Sequence, residues 1–93
     1  MQNKRLRKVR KKLGLSQAQL GKVMGVHPLT VSKWERGAAT PEGATAQLLK
    51  VIDRRLEEKP PPPNIKDLIL AALAGEAIGA GLEVLLGALF GRR

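Results

Sequence analysis

Four prolines stand in a row at positions 60–63, in the stretch EEKPPPPNIK. Proline has no backbone N–H and its ring holds φ at about −65°, so neither a helix nor the middle of a sheet can run through such a segment. The run favours an extended, semi-rigid spacer of the polyproline type. It divides the chain into two parts of unlike chemistry. Met1 to Lys59 carries 14 basic and 5 acidic residues, which accounts for the whole formal net charge of +9, whereas Pro60 to Arg93 carries three of each sign. A basic part followed by a neutral apolar one suggests a polyanion-binding head joined to a segment that associates with protein or lipid.

A chain of 93 residues has room for one small core and a short appendage, and its size argues against a large catalytic cleft. Hydrophobic residues make up 43% of it but aromatic residues only 2%, so the core must be built from Leu, Val, Ile and Ala with a single Trp and a single Phe. That composition suits packed helices. The absence of cysteine excludes disulfides, thiol catalysis and thiolate metal sites, and with no signal peptide in view points to the cytoplasm. One histidine argues against a zinc site or a catalytic triad. No catalytic residues, no metal site and no cofactor are expected.

The periodicity of the first part predicts four helices. In NKRLRKVRKKLG, Leu6, Val9 and Leu13 recur at helical spacing with basic or small residues between them. In LSQAQLGKVMG, Ser16 is a good N-cap, Leu20, Val23 and Met24 form an apolar stripe, and Gly25 is placed to end the helix in a left-handed turn. His27-Pro28 restarts the chain, with Pro28 suited to a first helical position, and this third helix runs to Glu35 and stops at Gly37. Thr40-Pro41 repeats the cap-then-proline device, and Ala46, Leu49, Ile52 and Leu56 supply the stripe of a fourth helix. Leu6, Leu20, Val31, Trp34 and Leu49 are expected to give the head a core of its own.

Two short helices joined by a tight turn at Gly25-Val26 make a helix-turn-helix, whose second helix can lie in a DNA major groove. Closing it should require a small residue at Ala18, filling by Val26 and Val31, and a cover from Trp34. The stretch LSQAQLGKVMGVHPLTVSKWERG resembles the signature of the phage repressor and Cro-like (XRE-type) family of regulators, which includes some toxin-antitoxin regulators, with Ser16-Gln17, Gly25-Val26, Val31-Ser32 and Glu35-Arg36-Gly37 in register. The resemblance covers roughly residues 4–57. It implies a bundle of four or five helices that binds DNA, usually as a dimer on a palindromic operator, in which Gln17 grips a phosphate together with backbone N–H groups and Arg10 pairs with Glu35. The chain departs from the family where a fifth helix often builds the dimer contact, since the proline spacer and tail stand there.

The expected fold class is all-α: a four-helix repressor-like DNA-binding domain containing a helix-turn-helix over residues 1–58, a proline-rich linker over 59–64, and an apolar helix or helical hairpin over 65–93 for oligomerisation. Expected base contacts are Pro28, Leu29, Ser32 and Lys33. Lys33 can donate to guanine O6 and N7, and Leu29 can pack on a thymine methyl. Expected phosphate contacts are Arg10, Gln17, His27, Thr30 and Arg36, although the His27 ring could equally cap its helix. Outside this motif Lys33 would read as a solvated lysine, and Trp34, which could stack on a base, fits a core position better. The run of cations at Lys4, Arg5, Arg7, Lys8, Lys11 and Lys12 has no acid within it and should meet a polyanion.

In the tail, Ile65, Leu68, Ala72, Gly75, Gly79, Leu82, Leu86 and Leu89 are the expected self-association contacts, with the chain either continuous or folded at the GAG of residues 79–81. A toxin or other partner protein is the alternative occupant. A membrane span is not expected, because Lys66, Asp67, Glu76 and Glu83 interrupt the apolar stretch. The function these observations point to is a sequence-specific double-stranded DNA-binding regulator, a repressor acting as a dimer or higher oligomer on repeated or palindromic half-sites. An antitoxin or adaptor that autoregulates through the head is the alternative.

Overall fold

The computed structural model describes residues 2–75 and 79–91. Glu76, one of the charges expected to interrupt the tail, lies outside them. Six helices form among the described residues: α1 (Asn3–Lys12), α2 (Gln17–Met24), α3 (Pro28–Arg36), α4 (Gly43–Glu58), α5 (Ile65–Ala74) and α6 (Ala80–Phe90). None of them is long and apolar enough to cross a membrane.

The first three helices begin and end close to where the residues say they should. Ser16 Oγ accepts from the Gln19 N–H at 3.0 Å while Gln19 Oε1 accepts from the Ser16 N–H at 2.8 Å, a reciprocal cap that opens α2. Gly25 (φ 75°) and Gly37 (φ 79°) close α2 and α3 in the left-handed conformation that side chains other than glycine resist. The start of α4 differs from expectation. Pro41 is buried and does not open the helix, which begins two residues later at Gly43 with Glu42 in the cap position. A proline held in the protein interior keeps the preceding chain extended.

The small residue at the α2–α3 approach is Gly21 and not Ala18. Ala18 is exposed, whereas Gly21 is buried and a Cβ there would lie 2.7 Å from the Val26 carbonyl oxygen. Val26 is half-buried against the core and Val31 is fully buried.

The largest departure concerns the prolines, which do not hold the tail clear of the head. Ile65 and Ile69 of α5 and Leu85 and Leu89 of α6 belong to the same buried cluster as Leu6, Leu20, Val31, Trp34, Leu49 and Ile52. After Pro63 the chain turns at once, with the Ile65 N–H donating to the Pro62 carbonyl at 3.0 Å. α5 and α6 lie side by side, and α6 rests on α2 and α4. A proline run restricts its own residues, but it leaves free the direction in which the next residue departs, and apolar stripes at i, i+4 spacing on α5 and α6 have a matching surface to cover on the head.

The tail is thus two helices and not one. Gly79 (φ 82°) stands before α6, but Gly81 of the expected GAG turn is inside that helix. Its missing side chain serves a contact: a Cβ at Gly81 would meet Leu73 Cδ2 at 2.6 Å and Val23 Cγ2 at 3.4 Å, at the point where α2, α5 and α6 converge. At the far end of α6, Arg55 Nε donates to the Leu89 carbonyl at 2.7 Å and its guanidinium lies 5.6 Å from the centre of the Phe90 ring.

A shared core makes head and tail melt together. Leu85→Ala is expected to cost about 2–5 kcal/mol, comparable to Leu49→Ala, and to shift the denaturant midpoint read from Trp34 fluorescence in the head. An unchanged Trp34 midpoint in the Leu85 variant would mean that the tail unfolds by itself.

Candidate DNA interface

α3 has one side in the core and one side in solvent. Val31, Trp34 and Glu35 are buried. Pro28, Leu29, Lys33 and Arg36 are exposed and Thr30 and Ser32 half-buried, so all of the residues expected to reach DNA from this helix stand on or beside its outer side. Leu29, 52% exposed, is the most solvent-accessible large apolar residue among those described. Trp34 is a core residue, 6% exposed.

Four of the side chains expected to reach DNA, His27, Ser32, Arg36 and Gln17, are engaged within the chain. His27 Nδ1 accepts from the Leu29 N–H at 3.0 Å and so caps α3. Ser32 Oγ accepts from Arg36 Nε at 3.2 Å, one turn away, which lays the arginine along the helix. Gln17 Nε2 donates to Glu35 Oε1 at 3.1 Å.

Glu35 is the centre of the arrangement, with a side chain only 1% exposed. Arg10 grips it with both arms: Nε to Oε2 at 2.6 Å and Nη2 to Oε1 at 2.9 Å, while Nη1 donates to the Leu15 carbonyl at 3.0 Å. Arg7 Nε stands 3.5 Å from Oε1. Arg7 Nη2 and Asn3 Nδ2 also donate to the backbone carbonyl of Glu35, at 3.4 and 3.2 Å. α1, α2 and α3 therefore meet on one residue. Burial pushes the Glu35 carboxyl toward its neutral form, but the hydrogen bonds from Arg10 and Gln17 and the charge of Arg10 outweigh it and hold the group below its ordinary value of 4.5. Arg10, expected to contact phosphate as well as Glu35, is 15% exposed with three of its five N–H groups taken inside the chain.

The cations of α1 sort into rows. The run contains no acid, yet acids reach it from α4: Arg5 pairs with Asp53 at 2.8 and 3.0 Å and lies 3.5 Å from Glu57, which Lys12 meets at 3.2 Å. Those two cations are neutralised against α4, and the Glu57 carboxyl is held below its usual range, chiefly by Lys12. Lys4, Arg7, Lys8 and Lys11 are exposed. Lys4 and Lys11 have no carboxylate within ion-pair distance among the described residues. Periodicity along one helix cannot reveal partners that come from another, and this is why the sorting was not visible in the sequence.

The residues expected to mediate self-association divide as well. Ile65 and Leu89 are buried in the core of their own chain, which corrects their assignment as contacts between copies. Leu68 is 41% exposed, Gly75 and Gly79 are exposed, and Ala72, Leu82 and Leu86 are half-buried. Phe90, 42% exposed beside Leu89, was not singled out in the sequence, although its place four residues after Leu86 puts it on the same side of α6.

Because Glu35 binds its proton less tightly in the folded chain than in the unfolded one, its contribution to stability is complete above the unfolded value near 4.5 and is lost as pH falls through the lower folded value. Wild-type stability is expected to drop below that pH. Glu35→Gln should lose about 3–5 kcal/mol at neutral pH, by leaving Arg10 without its counter-charge, and should show a shallower acid dependence. Urea midpoints of both proteins between pH 6 and 3 test this, and parallel curves would refute it.

Residues 6–50 match the family described as helix-turn-helix. The chain is 44% identical over 43 residues to Repressor protein C2 of Salmonella phage P22, across 46% of this chain and 20% of that protein. It is 40% identical over 50 residues to Antitoxin MqsA of Escherichia coli (strain K12), across 54% of this chain and 38% of that one. The chain thus spans well under half the length of either relative. No solved structure matches it. The matched segment, just under half of the chain, runs from α1 into α4 and contains Glu35 with Arg7, Arg10 and Gln17, and over these residues the chain is similar to the helix-turn-helix family.

Proposed function

We propose that this chain is a cytoplasmic, sequence-specific double-stranded DNA-binding regulator that represses by occupying its operator. The observation that carries the reading is the outer side of α3: Leu29 and Lys33 are exposed on a helix whose opposite side is locked by Val31, Trp34 and Glu35, beside a row of exposed α1 cations. In this reading Pro28, Leu29, Ser32 and Lys33 meet base edges, Lys33 donating to guanine and Leu29 packing on a thymine methyl. Gln17, His27, Thr30 and Arg36 position the head on the sugar-phosphate backbone, Arg10 contributing through its grip on Glu35. The likeness to Repressor protein C2 supports a repressor.

One head offers few base-reading groups and needs a partner head to select a site. The outer side of the α5–α6 pair is the proposed joint between copies. α6 is apolar on nearly every side, with Glu83 its one charged residue, and a helix of that kind is ordinarily covered all round. Two heads about one DNA turn apart then occupy repeated half-sites. A second reading, an antitoxin whose tail binds a partner protein, is favoured by the likeness to Antitoxin MqsA.

Affinity for any duplex is expected to fall steeply with salt, by a log–log slope of about −0.9 per phosphate contacted, and a flat response would remove the DNA reading. Lys33→Ala should cost roughly 1–3 kcal/mol on the preferred site and blur one position of it, whereas Gln17→Ala should weaken all sites alike. Equal losses on specific and random DNA would demote Lys33 to a phosphate contact. Light scattering should give a dimer or larger for the wild type and a monomer for Leu68→Asp/Phe90→Asp. A monomeric wild type favours the antitoxin reading.

A further inference from the structure

We propose that Arg7 is the arginine of the Glu35 cluster that binds a DNA phosphate, and that Arg10 stays on Glu35 in the complex. The inference rests on the DNA-binding reading above and assigns a residue that the periodicity of α1 does not distinguish from its basic neighbours. Two arginines reach one buried carboxylate, and their circumstances are opposite. Arg10 is 15% exposed and makes a two-armed pair at 2.6 and 2.9 Å with a third bond to the Leu15 carbonyl. Arg7 is 49% exposed and has one contact with the carboxylate at 3.5 Å and one with the Glu35 carbonyl at 3.4 Å.

If Arg7 swings away, Glu35 keeps both bonds from Arg10 and the one from Gln17, so no buried charge is left bare. If Arg10 swings away, the carboxylate loses its only bidentate partner and the Leu15 carbonyl loses its donor. Only the first movement is cheap. Place favours Arg7 too. It shares Glu35 Oε1 with Gln17, at the start of α2, and Glu35 is followed directly by Arg36 on the outer side of α3. A guanidinium at this point, with N–H groups facing solvent, can take two oxygens of one phosphate in the planar geometry that a lysine lacks. Lys4 and Lys11 extend the same exposed row of α1.

The test is the salt dependence of duplex binding by the full chain, using wild type, Arg7→Ala and Arg7→Lys on one random-sequence duplex, together with the melting temperature of each. Arg7→Ala should lower the log–log slope by about 0.9 and weaken binding roughly five- to tenfold at 0.1 M salt, equally on every sequence, while melting within a few degrees of wild type. Arg7→Lys should restore the slope, because the slope counts charge, and recover only part of the affinity, because a lysine cannot grip two oxygens. An Arg7→Ala slope equal to that of a DNA-binding wild type overturns the proposal and leaves the DNA reading standing. A wild type that shows no salt-dependent duplex binding overturns both.

Discussion

The buried carboxylate of Glu35 is the point on which the helix-turn-helix half of the molecule is organised. It draws a side chain from α1 and another from α2 to a residue of α3, and so sets the mutual position of all three helices. Hydrophobic contact alone would tolerate small rotations of α3. A two-armed guanidinium–carboxylate pair does not, because its bonds are directional and a misplaced partner leaves a charge without compensation. Such a pair is weak evidence for stability and better evidence for geometry. Here the geometry is the one that matters, since α3 presents Leu29 and Lys33 only while its inner side is held.

Charge in the head is arranged by the same logic. Arg5 and Lys12 are matched by Asp53 and Glu57 of α4, Arg10 is matched by Glu35, and what remains exposed on α1 is Lys4, Arg7, Lys8 and Lys11. Pairing removes positive charge where α1 meets α4 and leaves the rest of the helix positive. A net charge of +9 therefore becomes a directed field, the form in which it can orient a polyanion before contact.

The tail completes the head instead of hanging from it. Ile65, Ile69, Leu85 and Leu89 fill the core, Gly81 allows α6 to approach Val23 of α2, and Arg55 ties down the end of α6 through the Leu89 carbonyl. α2 is consequently pressed from two sides, by the turn into α3 at Gly21 and by the tail at Val23. The outer side of α5 and α6 lies one packed layer from the helix that seats α3.

Much of this was legible in the residues. The caps at Ser16, Gly25 and Gly37, the buried positions of α1, α3 and α4, the outward display of Leu29 and Lys33 and the pairing of Arg10 with Glu35 follow from local periodicity, from backbone preferences that act within a few residues, and from the family resemblance. Tertiary structure alone decided the rest. It selected Gly21 over Ala18 as the close contact, because that depends on which side of α2 faces the Val26 carbonyl. It gave α1 its acidic partners, because they lie some 45 residues away in sequence. It also folded the tail onto the head, because four prolines dictate their own backbone angles and nothing about where the chain goes next, and the apolar surface left open on α2 and α4 supplied the direction.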